Sequence, residues 1–250
     1  MIRITRISAA AALAVACVAS QALAVATSFV EPGAWHVGDP NTTYQKWGSF
    51  TGQTGNTPDI GLTVNPAITS VPTVSVVSPG FVAGSGNFYS FSGDYGFTAD
   101  IYNHGGVAGS GGLPAGLGTH VIVQTSATLN GSEAIYSDTL EIVTLLGNAI
   151  PGGANADAIR HDVIIEGPVS SPFGTVTQRE EIWEFFLPNY TGDFRVQADV
   201  IAHSSFDHIR VDSALGQSAY APTAIPEPAS CALWAAGTVM LLTRRKRHDG

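Results

Sequence analysis

The sequence predicts an all-β domain held between two apolar terminal segments. Three observations predict it. Apolar residues in the body alternate with polar ones at period two, and clusters of Gly, Pro, Asn and Ser interrupt these runs about every ten residues. No stretch of the body carries a capped apolar stripe at helical spacing.

At the start of the chain, Arg3 and Arg6 precede an Ala-rich apolar run from Ile7 to Val18, and Ala22-Leu23-Ala24 offers an A-x-A site. This is the pattern of a secretory signal peptide, residues 1–24, cleaved between Ala24 and Val25. A competing reading makes Cys17 a lipoprotein cysteine, but Ala14 stands where leucine is usual. Residues 25–215 are expected to form one β-sandwich domain, since no linker-like composition divides them. About 200 residues suffice for one sizeable core. After Ala24 the only cysteine is Cys231, so the body has no disulfide and must be held by burial.

Several segments read as strands. Asp193–Ala202 alternates cleanly, with Phe194, Val196, Ala198 and Val200 on one face and Arg195, Gln197 and Asp199 on the other. Thr175–Leu187 sets Ile182, Glu184 and Phe186 opposite Trp183, Phe185 and Leu187, as in a central strand covered on both sides. Thr119–Thr128 is rich in β-branched residues. Further candidates are Thr73–Val77, Phe88–Phe91, Tyr95–Tyr102, Ile135–Leu146, Ile159–Glu166 and Phe206–Asp212. Turn clusters lie at Gly105–Gly118, Gly147–Asn155 and Gly167–Phe173. Gly33–Thr63 reads as irregular, its Trp35, Tyr44, Trp47 and Phe50 expected to plug one end of the sandwich.

Charge excludes some functions. Between Val25 and Ile225 there are five basic and eighteen acidic side chains, a formal charge of −13. Such a field repels phosphate backbones and anionic headgroups, so nucleic acid is not an expected partner.

Catalytic patterns are missing from the sequence. None of His36, His104, His120, His161, His203 and His208 forms H-E-x-x-H or a His-x-His pair. No G-x-S-x-G elbow occurs, and Ser85 and Ser110 sit in Gly loops as turn residues. Glu180 and Glu184 share one strand face and Glu181 the other, which leaves open a carboxylate pair with a neighbouring strand. For calcium, Asp94, Asp100, Asp207 and Asp212 at strand ends or loops are the candidate ligands, without a D-x-D-x-D-G loop. His203 and His208, five apart, suit a turn between strands, with a metal pair as the alternative.

Residues 216–225 read as a short tether, and residues 226–250 as a separate tail. Ala229–Thr243 carries no charge and would span roughly 22 Å as a helix, against a hydrocarbon core of about 30 Å. Pro228 is tolerated in the first helical turn. Arg244, Arg245, Lys246 and Arg247 set a positive-inside orientation, which leaves everything before Pro226 outside.

Pro226-Glu227-Pro228, the apolar run and the basic cluster together resemble the PEP-CTERM sorting signal of bacterial exported proteins. The resemblance covers about a tenth of the chain. It implies recognition of the tripeptide by an exosortase-type enzyme, processing of the tail, and association with exopolysaccharide and biofilm matrix. Separately, His203–Asp212 resembles the closing strand of jelly-roll domains in carbohydrate-binding modules, which favours a jelly roll over a barrel.

The expectation is therefore an exported, non-enzymatic cell-surface or matrix protein that contacts extracellular polysaccharide. Before processing, the tail would hold it in the inner membrane. The rival is a secreted glycan hydrolase or lyase on the same jelly-roll fold.

Overall fold

A computed structural model describes residues 29–63, 70–102, 117–151, 158–171, 174–216 and 221–224. The residues read as a signal peptide, including Ala22 and Ala24, lie outside the described residues, as do Pro226, Glu227, Pro228 and the cluster Arg244–Arg247.

All the regular structure described is β, in twelve strands. They are β1 (Thr42–Trp47), β2 (Ile60–Thr63), β3 (Thr73–Val77), β4 (Phe81–Val82), β5 (Phe88–Tyr89), β6 (Tyr95–Ile101), β7 (Gly118–Thr128), β8 (Glu141–Thr144), β9 (Arg160–Ser171), β10 (Gly174–Leu187), β11 (Phe194–Val200) and β12 (Ser205–Gly216). They form two antiparallel sheets. The larger runs β2-β1-β12-β7-β10-β9, with the β4–β5 hairpin joined to the start of β12, and the smaller runs β3-β6-β11-β8. No helix among the described residues is long and apolar enough to cross a membrane.

One apolar core joins the inner faces of both sheets. Trp47, Val121, Val123, Trp183, Phe185, Ile209 and Val211 come from the larger sheet, and Val74, Phe97, Ala99, Phe194, Val196 and Val200 from the smaller. Its aromatic centre is a stack: Phe206 lies 4.5 Å from Phe97, while Phe50 and Phe88 are 3.8 Å apart. β11 has the expected alternation, Phe194, Val196, Ala198 and Val200 buried and Asp199 exposed. β10 is buried on both faces over Glu180–Phe185, as the double apolar pattern requires.

A bulge in β12 between Phe206 and His208 turns both Phe206 and Ile209 inward, three residues apart, with Asp207 as the extra residue. From there on His208, Arg210, Asp212 and Ala214 alternate outward against Ile209 and Val211.

Three strand expectations need correction. Gly33–Thr63 contains β1 and β2, and β1 pairs along Thr42–Trp47 with Ala214–Ile209 of β12. Its inward positions are Thr43, Gln45 and Trp47, so two of the three inward side chains are polar and mask the alternation. Trp47 and Phe50 belong to the main core, whereas Tyr44 is half-buried and faces outward with Arg210 4.6 Å from its ring. Ile135–Leu146 is a strand only over Glu141–Thr144, with an isolated bridge from Ile135 to Val200, and Leu146 is 86% exposed. β9 continues through Gly167 and Pro168 to Ser171, where a turn was expected. Proline fits there because β9 is an edge strand and that position needs no outward donor.

Candidate functional site

Three surfaces gather polar or aromatic side chains. The first grows from the β4–β5 hairpin. Phe88 points into the core and pairs with Phe206, so its neighbour Tyr89 points outward. Tyr89 is opposite Phe81 in the hairpin, which puts both rings on that outer side, and Phe91 follows two residues later. The three rings touch: Phe81–Phe91 at 5.6 Å, Tyr89–Phe91 at 4.8 Å and Phe81–Tyr89 at 6.1 Å between centroids. Phe91 is 69% exposed. The imidazole of His203 lies edge-on to Tyr89, and the Tyr89 hydroxyl is 3.4 Å from its Nδ1.

This surface is held from behind. The His203 N–H donates to the Ser90 carbonyl at 3.0 Å, the Ala202 N–H donates to Asp94 Oδ1 at 2.9 Å, and Asn130 Nδ2 donates to the Ala202 carbonyl at 2.8 Å. His203 itself has φ 66°, a left-handed conformation that the turn into β12 demands.

The second surface is the outer face of the smaller sheet. A groove of about 430 Å³ is lined by Thr98, Asp138, Thr139, Glu141, Gln197 and Asp199. Gln197 Nε2 donates to Glu141 Oε1 at 2.7 Å, and the Asp199 N–H donates to the Thr139 hydroxyl at 2.9 Å. Gly96 keeps the floor low, since a Cβ there would stand 3.2 Å from the Ala198 carbonyl oxygen. The groove offers mostly acceptors.

The third surface, on the outer face of the larger sheet, is covered. Two segments lie across it, Val30–Trp35 and the residues around Thr223. The Gln124 amide clasps the backbone of Val30, accepting its N–H at 2.7 Å and donating to its carbonyl at 2.9 Å. Trp35 covers Ile122, Ile164, Ile182 and Ala214. Arg210, 2% exposed, makes bidentate pairs with Glu31 (2.8 and 2.9 Å) and with buried Asp212 (2.7 and 3.0 Å). Glu184, also buried, accepts the Thr223 N–H at 2.8 Å and Arg160 Nη1 at 3.1 Å, with His120 Nε2 3.5 Å away. Arg160 also donates to the Thr223 carbonyl. A Cβ on Gly33 would lie 3.7 Å from Thr223 Cα, so the two described ends of the chain touch.

Electrostatics follow from these partners. Burial pushes the Glu184 carboxyl up, but hydrogen bonds from His120 and Thr223 outweigh it and hold it below the usual range. Burial pushes Asp212 up to about 7 against the pull of Arg210. Burial also pushes Asp207 up to about 6, with only the Ser205 hydroxyl opposing. Burial, together with Lys46, holds His208 below its ordinary value and therefore neutral at pH 7.

The candidate calcium ligands do not converge. Asp94 accepts from Tyr136 and Ala202, Asp100 pairs with Arg195, Asp207 accepts from Ser205, and Asp212 pairs with Arg210. Among the described residues no three His, Cys, Asp or Glu side chains stand where they would hold a metal ion. His203 and His208 have different neighbours, Tyr89 for the first and Gly48 for the second. Glu180 and Glu184 do share a face, and Glu181 turns the other way to His161 at 3.2 Å and Arg179 at 3.8 Å. Ser85 is an exposed hairpin residue bonded to Asn87, while His104 and Ser110 lie outside the described residues. Within the span read as a tether, Thr223 is 2% exposed and anchored to Glu184 and Arg160.

The aromatic surface was missed in the sequence. Its one signal was F-Y-S-F at Phe88–Phe91, read only as a strand. No protein-family model, curated protein or solved structure matches the chain.

Proposed function

We propose that the chain is an exported bacterial protein of the PEP-CTERM type, a non-enzymatic component of the cell surface or extracellular matrix that contacts polysaccharide. The observation that carries this reading is the order Pro226-Glu227-Pro228, uncharged Ala229–Thr243, then Arg244-Arg245-Lys246-Arg247, behind an N-terminal pattern of a secretory signal peptide. Both ends thereby place residues 25–225 on the outer side of the membrane. Their acidic composition and lack of cysteine suit an exposed surface that needs no redox maintenance.

The body reads as a single jelly roll. Strands β6, β7 and β8 lie in alternate sheets, β10, β11 and β12 do so again, and β1 borders β12. Such wrapping between two sheets supports a jelly roll over a barrel. The non-enzymatic reading is supported by how three of the buried carboxylates are used: Glu184, Glu181 and Asp212 are engaged by cationic side chains or histidines of the same chain.

The test replaces Pro226, Glu227 and Pro228 with alanine in the producing bacterium. The variant should accumulate as the longer, membrane-bound form, while the parent is released. Identical processing of the two would remove the sorting assignment. Release of reducing ends from matrix polysaccharide by the purified chain, abolished by one carboxylate change, would establish the hydrolase or lyase instead.

A further inference from the structure

We infer that Phe81, Tyr89 and Phe91, with His203 at their margin, form a stacking platform for a neutral polysaccharide chain. The inference rests on the proposed contact with polysaccharide and assigns it a site. Three rings in mutual contact, one of them 69% exposed, make an apolar surface that nothing in the described fold covers.

The chemistry of the margin selects the occupant. The C–H face of a pyranose lies against the electron-rich face of an aromatic ring, while its hydroxyls project sideways and require hydrogen-bonding groups at the ring edge. Here the Tyr89 hydroxyl and the His203 imidazole supply such groups beside the rings. A purely apolar partner would strip both of water and leave them only their long contact with each other, 3.4 Å. The platform is also preorganised, because the Ser90, Asp94 and Asn130 hydrogen bonds fix the turn carrying His203 before any ligand arrives.

Charge and position narrow the class. A body charge of −13 disfavours uronic-acid polymers and anionic lipid alike. Position separates the platform from the anchored end. Thr223 is held by Glu184, which is opposite Ile122 on β7, itself opposite Asp212 on β12. The platform instead reaches β12 through Phe88 at Phe206. On β7 the two levels fall at Ala127 and Ile122, five residues apart, roughly 17 Å at a rise near 3.3 Å per residue. The platform thus lies away from the chain end that leads to the tail.

The experiment presents the full chain, in a zwitterionic detergent, to an array of neutral gluco-, manno- and galacto-oligosaccharides and of uronic-acid oligosaccharides. Phe91→Ala and Tyr89→Ala are run beside it. The parent should bind neutral members, and Phe91→Ala should weaken binding about tenfold or more, the loss expected for truncating one aromatic anchor. Phe91→Tyr should retain binding. Because Phe91 is exposed, Phe91→Ala should keep the parent's thermal midpoint, so binding lost in it would not reflect unfolding. Binding that Phe91→Ala and Tyr89→Ala leave unchanged would overturn the platform while the polysaccharide reading stands. No binding to any glycan would overturn both, and preference for uronic-acid members would overturn the neutral assignment. A concentration-dependent dimer abolished by Phe91→Ala, without glycan binding, would reassign the surface to self-association.

Discussion

Replacing Arg210 with methionine isolates the energetics of the covered face. Arg210 is 2% exposed and Asp212 fully buried, so the substitution leaves a carboxylate with no cation inside the protein. Breaking a buried pair from one side costs about 3–5 kcal/mol, because the remaining charge keeps its desolvation penalty. The lost contact with exposed Glu31 adds only about 0.2–1 kcal/mol, as for solvent-screened pairs. With a urea slope of about 2 kcal/mol/M, the midpoint of the Val25–Ile225 chain should fall by roughly 1.6–3 M. Removing both charges, Arg210→Met with Asp212→Leu, should recover most of the loss, since an apolar pair of similar volume carries no such penalty. The cost should also depend on pH. Burial already pushes Asp212 up to about 7, and without Arg210 it acts unopposed. The orphaned carboxyl is then protonated at pH 5, and the loss is smaller there than at pH 8. A single variant within 1 kcal/mol of the parent, or a double variant as weak as the single, would refute the reasoning.

Asp207 makes a second pH-dependent prediction. Its folded pKa, about 6, lies above the ordinary aspartate value because of burial, so the folded state holds the proton more tightly than the unfolded chain. Its contribution is complete below about pH 4 and is lost as pH rises through 6, up to about 3 kcal/mol and less where water reaches its edge. Asp207→Asn should flatten that part of the stability–pH curve relative to the parent, the slope from Asp212 remaining in both; parallel curves would exclude it. In the aromatic stack, Phe206→Ala should cost about 3–5 kcal/mol in urea unfolding, and Phe206→Leu clearly less, since the cavity is smaller. Equal losses would mean that the stack relaxes around the gap.

The readable parts of the fold were those whose buried face is apolar. β11 announces itself because Phe194, Val196, Ala198 and Val200 all face the core, and β7 and β10 because their β-branched and aromatic runs fit a doubly covered strand. β1 fails the same test, since Thr43 is satisfied by Ser213 at 2.6 Å across the strand pair and needs no apolar identity. Pro168 signals a turn locally, and only its place on an edge strand removes the conflict. The covered face was illegible for a different reason. Glu184, Arg210 and Gln124 look like outward polar positions in period-two counting, and what buries them comes from 39, 179 and 94 residues away. The aromatic platform needs the hairpin pairing of Phe81 with Tyr89 and a distant turn at His203, neither of which composition encodes.

The two sheets therefore use polar residues in opposite ways. On the smaller sheet Glu141 and Asp199 are exposed to solvent, where a carboxylate keeps its hydration and costs the fold little. On the larger sheet Glu184, Arg210 and Asp212 have surrendered that hydration; the Arg210–Asp212 pair, the side chains of Glu31 and Arg160 and the Thr223 backbone compensate. Such a face is committed: any partner would first have to displace Trp35 and Thr223 and then satisfy every group they satisfy now. New contacts cost least on surfaces whose polar groups are already hydrated and whose apolar groups are already exposed. Among the described residues, the acceptor-lined groove meets the first condition alone. The platform of Phe81, Tyr89 and Phe91 meets both, and it stands roughly 17 Å along the strands from the level at which the chain is latched.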